Sequence, residues 1–377
     1  MSIVLIARNG PDLYWQDVHK PANGDPMSAA TPHRLLCVGA IHIDDTATPL
    51  GSLVAKASNP VRWSHSIGGV SANALRAARR ELPRLDIDFI AAVGDDTYAE
   101  TLADALQQQT INTRFVTLDN TPTGRYSAIL DQHGELFIGL ADVDNAERLT
   151  LEHIVHKIGA LAPDAVLIDT NLHAETIAAL AQYVKQHWQC PLLGLAVSPA
   201  KGVKLLSIRE QLAMLICNRR EAIALLQTRP QMGPQMGPQM GLQTRQQTKL
   251  QTKLQTSNST TGKQTDIATT TPSPSNSDFE HASTEALALA LIDSGFSRFV
   301  LSDGADPVFV FEDDQLKQLA VPSLAIESTV NGAGDAMAGA IVAHWVNGTK
   351  LFEAVKTAGL PAASRILTGE IPPQRLA

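Results

Sequence analysis

A five-residue segment near the end of the chain, Asn331-Gly332-Ala333-Gly334-Asp335, combines the residue types needed for anion binding and for proton transfer. Small residues let the backbone bend tightly, so that several N–H groups can converge at the start of the Ala-rich segment that follows. An aspartate in a first helical turn stays ionised beside the helix dipole and can accept a proton from a hydroxyl. The segment therefore suits transfer of a phosphoryl group to an alcohol, although a plain N-capping aspartate after a glycine turn fits it equally well.

A second segment, Gly68-Gly69-Val70-Ser71-Ala72-Asn73, places two glycines ahead of an amide at the start of another predicted helix. Glycines allow the backbone to approach a bound polyol closely, and an amide can donate to one hydroxyl and accept from another. On its own this segment is also typical of ordinary turn chemistry. It is a candidate binding site for a hydroxylated substrate.

Strand and helix patterns alternate along most of the chain, which predicts a parallel sheet covered by helices on both faces. Two apolar runs at 126–130 and 136–140 flank a Gln-His-Gly-Glu turn and predict a hairpin, which suggests a small β lid beside the sheet. Strands are predicted at 35–40, 89–93, 165–168, 192–197, 213–217, 299–302 and 308–311, and helices at 71–81, 97–109, 174–187, 283–294 and 335–346.

Composition divides the chain into three parts. Residues 1–33 form a predicted N-terminal extension, rich in breaks such as Gly10-Pro11. Residues 229–280 carry three tandem PQMG units, a drifting Gln-Thr-Lys-Leu repeat and a Ser/Thr/Pro tract, and they are predicted to be disordered because they hold too little apolar surface to offset the entropy of ordering. The remaining residues, 34–228 and 281–377, form the predicted catalytic domain with its lid.

Charge and apolar patterning exclude several classes of partner. The formal net charge is −8 with no cluster of Lys and Arg, which argues against nucleic-acid binding. No segment approaches the roughly 18 apolar residues that span a bilayer, so no membrane contact is expected. The three cysteines lie far apart without metal-ligand spacing and are typical of thiols in a reducing compartment, which predicts a cytoplasmic protein.

The Gly-Gly-(x)3-Asn and Gly-Ala-Gly-Asp segments together resemble the PfkB family of ribokinase-like carbohydrate kinases. The resemblance runs from about Leu35 to the mid-360s, apart from the insert at 229–280. It implies an α/β fold: a ribokinase-like three-layer sandwich with a mostly parallel central sheet and a small β lid. It also implies transfer of a phosphoryl group from ATP to a primary hydroxyl.

The resemblance assigns a role to each matching position. Asp335 would be the general base, and Gly332, Ala333 and Gly334 would stabilise the transferring phosphoryl group. Asp44, which resembles the aspartate ending the family's first strand, would bind the acceptor together with Gly68, Gly69 and Asn73. The nucleotide-side residues would be Asn218, Ser302, Asp303, Gly304 and Asn331. Glu221, in an Asn-x-x-Glu motif, would hold Mg²⁺ through water, and a monovalent cation is a further option.

Within the family, the Leu-Asp-(x)2-Gly-Glu turn and Asp169-Thr170-Asn171 are similar to segments of pseudouridine kinases. This implies pseudouridine as acceptor, with Asp169 and Asn171 in its site. Ribose, a ketohexose or adenosine are the alternatives, and a homodimer is left open. Ala196 and Pro307 depart from the family pattern, where an aspartate and a glycine are expected, so a sugar-binding protein with weakened catalysis is the competing hypothesis.

Overall fold

The computed structural model describes residues 4–5, 33–228, 279–324, 332–371 and 376. Nearly all of the predicted extension and of the predicted insert lie outside the described residues, as does Asn331.

The described strands and helices follow the predicted alternation. The strands are β1 (Val4–Leu5), β2 (Arg34–Val38), β3 (His42–Pro49), β4 (Val61–Gly68), β5 (Asp86–Ile90), β6 (Ala92–Val93), β7 (Asn112–Thr113), β8 (Val116–Thr117), β9 (Arg125–Leu130), β10 (Leu136–Asp142), β11 (Ala165–Asp169), β12 (Leu192–Leu195), β13 (Leu212–Asn218), β14 (Phe299–Asp303), β15 (Asp306–Glu312) and β16 (Gln315–Leu319). The helices are α1 (Val70–Glu81), α2 (Thr97–Gln107), α3 (Leu151–Ile158), α4 (Ala174–Tyr183), α5 (Pro199–Gly202), α6 (Arg219–Gln227), α7 (Thr284–Asp293), α8 (Ala333–Val346), α9 (Leu351–Ala354) and α10 (Leu360–Leu367).

The large sheet has the strand order β1-β16-β15-β14-β13-β12-β11-β2-β5-β7. All neighbours from β14 through β13, β12, β11, β2 and β5 to β7 are parallel, whereas β14–β15, β15–β16 and β16–β1 are antiparallel. The mostly parallel central sheet predicted from the sequence is therefore confirmed. The predicted strand at 89–93 is instead divided between β5 and the short β6.

Helices cover both faces of this sheet because its strands are apolar on both sides. In β2, Leu35 and Cys37 pack into one buried cluster together with residues of α1 and α8, while Leu36 and Val38 pack into a second with residues of α4 and α6. All four of these strand side chains are buried. The result is a three-layer α/β sandwich, in which the carboxyl ends of the parallel strands lie at one edge.

A four-stranded sheet with the order β10-β9-β3-β4 forms the lid. Asp44 lies on lid strand β3 and not at the end of the first strand, so the sequence prediction of its position was wrong. The first predicted strand is β2, which ends at Val38. The Gly39 amide still donates to the carbonyl of Ile90 next to it at 3.2 Å, whereas the Ala40 amide donates to the carboxylate of Asp169 at 2.8 Å. The chain then turns away from the large sheet and enters the lid.

The outer strand of the lid, β10, is exposed along its whole length. It carries four large apolar side chains that are each at least 45% exposed, namely Leu136, Phe137, Ile138 and Leu140. Within the described ranges, no helix combines the length and the apolar character required to cross a membrane.

Candidate active site

The candidate site is built on the contact between α1 and α8. A Cβ atom on Gly339 would lie 1.8 Å from the carbonyl oxygen of Ala74, so only glycine lets these two helices approach this closely. The close approach brings the first turns of the two helices together. Asn73 Nδ2 donates to Asp335 Oδ2 at 3.0 Å, which joins the two segments that the sequence singled out.

The first turn of α8 presents backbone amides beside Asp335 that lie too close to the helix start to have an intrahelical acceptor. Gly332, the N-cap residue, has a φ of 84°, which favours glycine, and it has no side chain that could accept from the next amides. The first intrahelical bond runs from the Ala336 amide to the Gly332 carbonyl. The amides of Ala333 and Gly334 thus point out of the helix end, where a negatively charged group is favoured.

Asp335 is surrounded by acidic and polar groups of the lid and the sheet. Desolvation by the protein atoms around its carboxylate raises its pKa to about 6, although part of its surface stays open to solvent. The hydrogen bond from Asn73 lowers this pKa, the charges of Asp169 and Asp44 raise it, and His42 lowers it. Burial therefore opposes the ionising effect of the helix dipole that the sequence suggested. A carboxylate with a pKa near neutrality suits a general base.

Asp44 and His42 lie side by side on the face of β3 that is directed toward α8. His42 Nε2 lies 3.0 Å from Asp44 Oδ1, and neither side chain is fully buried. A Cβ atom on Gly68 would lie 2.2 Å from Asp44 Oδ1, so the first of the two predicted glycines leaves room for these side chains. Gly69 turns the chain into α1 with a φ of 103°. The predicted acceptor residues Asp44, Gly68, Gly69 and Asn73 are brought together.

Asp169 has a different environment from the one predicted. Its carboxylate has no exposed surface and accepts from Ala40 N at 2.8 Å, Ser71 Oγ at 2.7 Å and Asn171 N at 2.8 Å. The side-chain oxygen of Asn171 accepts from Lys201 Nζ at 2.9 Å. This geometry does not support direct contact of Asp169 with a substrate. The residue instead ties the end of β2 to the start of α1.

Glu221 contacts Asn218, a predicted nucleotide-side residue, and lies near enough to Asp335, the predicted base, for their charges to interact. It is only 4% exposed, and its carboxylate accepts from the backbone amide of Asn218 at 2.8 Å and from Asn218 Nδ2 at 2.9 Å, in a capping box that begins α6. Burial raises its pKa to about 7, the bonds from Asn218 lower it, and the charge of Asp335 raises it. The Asn-x-x-Glu and Gly-Ala-Gly-Asp motifs, more than one hundred residues apart in sequence, thus meet at one site.

The remaining predicted nucleotide-side residues lie on neighbouring strand ends. Ser302 of β14 is the register partner of Asn218 on β13. Asp303 Oδ2 accepts from Thr284 Oγ1 at 2.7 Å and lies 3.8 Å from Arg219 Nε. Gly304 has a φ of 55° in the turn to β15. These residues form one edge, but the Asp303 carboxylate is engaged by the protein itself.

Pro307 does not disrupt this edge of the sheet. It lies exposed, second in β15, between the register pairs Asp303–Asp306 and Val308–Leu319. A proline is tolerated where a strand begins, because its missing amide is not required for the ladder. The departure from the family pattern therefore leaves the hairpin of β14 and β15 intact.

The residues present fit a hydrated Mg²⁺ held mainly by phosphates. The described residues contain no cluster of three or more metal-ligating side chains. Mg²⁺ in kinase sites usually keeps several waters and contacts one or two carboxylates besides the phosphates. Glu221 and Asp335 repel each other electrostatically, and a cation nearby relieves that repulsion. At position 196 the Ala196 side chain lies near Gly202, which itself packs against Glu221, so no second carboxylate is supplied there.

Sequence reasoning missed two charged residues around the site, Asp45 and Arg76. Asp45 is buried on the opposite face of β3 from Asp44 and pairs with Arg125 and with His65, whose Nδ1 lies 2.5 Å from Asp45 Oδ1. The two-residue period of a strand could have indicated that adjacent aspartates face opposite sides. Arg76 lies one helical turn after Asn73, a spacing that does bring side chains together in a helix.

A family model described as pfkB family carbohydrate kinase matches residues 32–232 and 246–369. Because that match covers most of the chain, the protein belongs to the PfkB family of carbohydrate kinases. It is accordingly an ATP-dependent phosphotransferase that uses an alcohol group as acceptor, within the sugar and nucleoside kinases.

Individual relatives agree with the family assignment. The chain is 23% identical over 326 residues to the pseudouridine kinase of Escherichia coli K12, covering 86% of this chain and 87% of that protein. A carbohydrate kinase from Agrobacterium tumefaciens superposes with a TM-score of 0.65 at 26% identity, covering 90% and 94% of the two chains. The Arabidopsis thaliana ribokinase solved with ribose and ATP superposes with a TM-score of 0.62 at 16% identity, covering 90% and 94%. The ribokinase-like fold is thereby confirmed.

Proposed function

We propose that this kinase phosphorylates the 5′-hydroxyl of a nucleoside, with pseudouridine as the first candidate acceptor and Asp335 as the general base. The observation that carries the proposal is the meeting of Asp335, in the first turn of α8, with Asn73 at 3.0 Å and with Asp44 close enough for its charge to act on Asp335. A carboxylate, an acceptor-binding acid and free helix-end amides are then within one site.

In the proposed reaction, Asp335 accepts the proton of the acceptor hydroxyl while the oxygen attacks the terminal phosphorus of ATP. The amides of Ala333 and Gly334 donate toward the phosphoryl oxygens as negative charge shifts during the transfer. Asn73 holds the Asp335 carboxylate in place, and Asp44, backed by His42, accepts from hydroxyls of the ribose. The O–P bond to the acceptor forms as the bond from the phosphorus to the departing ADP breaks.

The nucleotide side would use Asn218, Ser302 and Gly304 at the strand ends beside Glu221. When bound, Mg²⁺ neutralises the phosphate charge. Glu221 would orient waters of that ion, and its own position is fixed by the capping box with Asn218. Because Asp303 is already bound by Thr284 and faces Arg219, we assign it to shaping this edge and not to direct nucleotide contact.

The choice of pseudouridine is supported by the similarity to the Escherichia coli pseudouridine kinase over most of both chains. The test is an ADP-release assay with ATP and Mg²⁺ over pseudouridine, uridine, adenosine, ribose and fructose, with the product identified by mass spectrometry. Preferred turnover of pseudouridine to its 5′-phosphate supports the proposal. Preference for another acceptor overturns the assignment of the substrate, and stabilisation by nucleoside without any turnover favours a sugar-binding protein with weakened catalysis.

The raised pKa of Asp335 predicts an acid limb in the activity profile. A general base acts only when ionised, and the pKa of Asp335 is about 6, so kcat/KM for the acceptor should rise with pH through about 6 and then level. Initial rates measured from pH 5 to 8.5 at constant ionic strength check this. The control is the Glu221→Gln variant, which removes the second carboxyl group with a raised pKa, about 7. The limb near pH 6 should persist in this variant, because it belongs to Asp335.

We also propose a cytoplasmic location, where ATP is supplied. All three cysteines are free thiols, with Cys37 and Cys217 buried and Cys190 half-buried. Burial raises the pKa of the Cys190 thiol to about 12. Such thiols suit a reducing compartment.

A further inference from the structure

Arg76 is a buried cation that has no acidic partner among the residues that the structure describes. It lies in α1, one turn after Asn73, and is only 8% exposed. Buried arginines are rare unless they are paired with an acid. Within the described ranges no ion pair includes Arg76, and the charged group that acts on it is another cation, Arg80. The buried charge of Arg76 is therefore not explained by an ion pair, and another interaction must account for it.

The guanidinium of Arg76 faces two amide oxygens. Its Nη1 lies 3.4 Å from Asn73 Oδ1, and its Nε lies 3.4 Å from Gln109 Oε1. Both distances are at the long end of hydrogen bonding, so the contact acts mainly as attraction between a charge and an amide dipole. A guanidinium has donors only, and it therefore attracts the oxygen of the Asn73 amide and repels its NH2 group.

The other end of the same amide faces the proposed base. Asn73 Nδ2 donates to Asp335 Oδ2 at 3.0 Å, and an ionised carboxylate only accepts. Of the two orientations of the Asn73 amide, only one satisfies both neighbours. The reversed orientation would place the NH2 group against the guanidinium and the oxygen against the carboxylate, so that both contacts would become repulsive.

We propose that Arg76 is a positioning residue for phosphoryl transfer, which fixes the Asn73 amide so that its NH2 group holds the Asp335 carboxylate. This inference rests on the proposed function. Arg76 itself touches neither acceptor nor nucleotide, so its loss should affect the chemical step and leave ground-state binding nearly unchanged. Without it only the Asp335 carboxylate opposes rotation of the Asn73 amide, and the base is held less firmly.

The burial of Arg76 distinguishes positioning from structural support. Desolvation lowers the pKa of Arg76 to about 10, so the side chain remains protonated near neutral pH but is held at a cost to folding. An apolar residue of similar length removes that cost. The Arg76→Met variant should therefore melt at the same temperature as the wild type or higher, while its catalysis falls.

The experiment is a double-mutant cycle in the ADP-release assay with the full chain. Arg76→Met should lower kcat about 10- to 100-fold, as expected when a reacting group is misplaced, with the KM for ATP and for the acceptor within about twofold of the wild-type values. In the Asn73→Ala background Arg76→Met should cause no further loss, because its effect passes through that amide. Arg76→Lys, which keeps a donor cation, should recover part of kcat. Arg80→Met, an exposed cation on the same helix, is the matched control and should behave as wild type.

Two results would overturn the inference: wild-type kcat in Arg76→Met, or an equal loss of kcat in the presence and absence of the Asn73 side chain. If Arg76→Met does not fold, Arg76→Lys decides alone. An equal fold-loss of kcat on introducing Arg76→Lys into the wild type and into Asn73→Ala indicates a purely structural role and overturns the proposal. Failure of the proposed function is recognised separately. It appears as a wild type without turnover on any acceptor, or as an Asp335→Asn variant that retains activity.

Discussion

Replacing Asp335 with asparagine should lower kcat about 10²- to 10⁴-fold, the usual loss when a well-placed general base is removed. The amide has nearly the shape of the carboxylate, and its oxygen can still accept from Asn73 Nδ2, which now donates to Asp335 Oδ2 at 3.0 Å. The variant therefore loses the proton acceptor and keeps the surrounding packing. Single-turnover phosphorylation of the preferred acceptor, followed at pH 7.5, measures this loss.

Thermal unfolding provides the control for Asp335→Asn. The pKa of Asp335 is about 6 in the folded protein against 3.8 for an ordinary aspartate, so the folded state binds the proton more tightly than the unfolded state. The stabilisation from this group is complete below about pH 4 and is lost as the pH rises through 6. Asparagine avoids that loss, and the variant should melt no lower than wild type at pH 7.5. A folded variant with wild-type turnover would contradict the role of Asp335 as base.

Gly339→Ala should cause the largest loss of stability among the substitutions considered. The added Cβ would lie 1.8 Å from the carbonyl oxygen of Ala74, which is backbone and cannot rotate away. Overpacking in a core typically costs 1–3 kcal/mol, and we expect about 3 kcal/mol or more because α1 itself must move. Urea denaturation monitored by circular dichroism measures the change in the free energy of unfolding.

The same substitution should also reduce activity, because Ala74 is adjacent to Asn73. A shift of α1 by about 1 Å separates Asn73 from Asp335, and displacements of this size can cost about 10²-fold in rate. Gly51→Ala is the matched control, since a Cβ at Gly51 would meet no atom within 4 Å. Wild-type stability in Gly339→Ala would show that the two helices are not held at the described distance.

The parts of the site that the sequence predicted are those encoded by short segments. The turn at Gly332 and the helix that carries Asp335 follow from small residues ahead of an Ala-rich run, and the Gly-Gly entry to α1 follows in the same way. Strand and helix periodicity was sufficient for the mostly parallel sheet, because its strands are apolar on both faces. The proposed base and the two helix starts could therefore be predicted from local sequence, whereas the proposed role of Arg76 could not.

The parts that the sequence did not predict depend on contacts between distant segments. Asp44 was placed at the end of the first predicted strand, because nothing in residues 35–44 shows that the Ala40 amide donates to Asp169 and that the chain then enters the lid. The burial of Asp169 itself depends on Ser71, about one hundred residues earlier in the chain. The contact from Arg76 to the Asn73 amide lies within α1, but its proposed role depends on α8, which brings Asp335 to the other end of that amide.

The two neighbouring aspartates of β3 make this strand intolerant of changes in length. Asp44 faces α8, while Asp45 is turned into the lid toward Arg125 and His65. A single-residue insertion or deletion between Ala40 and His42 that shifted the pairing of β3 with β4 and β9 would exchange the two sides. Asp45 instead of Asp44 would then face α8, and the lid would lose the pairs of Asp45 with Arg125 and His65. The lid can therefore tolerate changes on its exposed outer strand far more easily than changes in the number of residues that lead into β3.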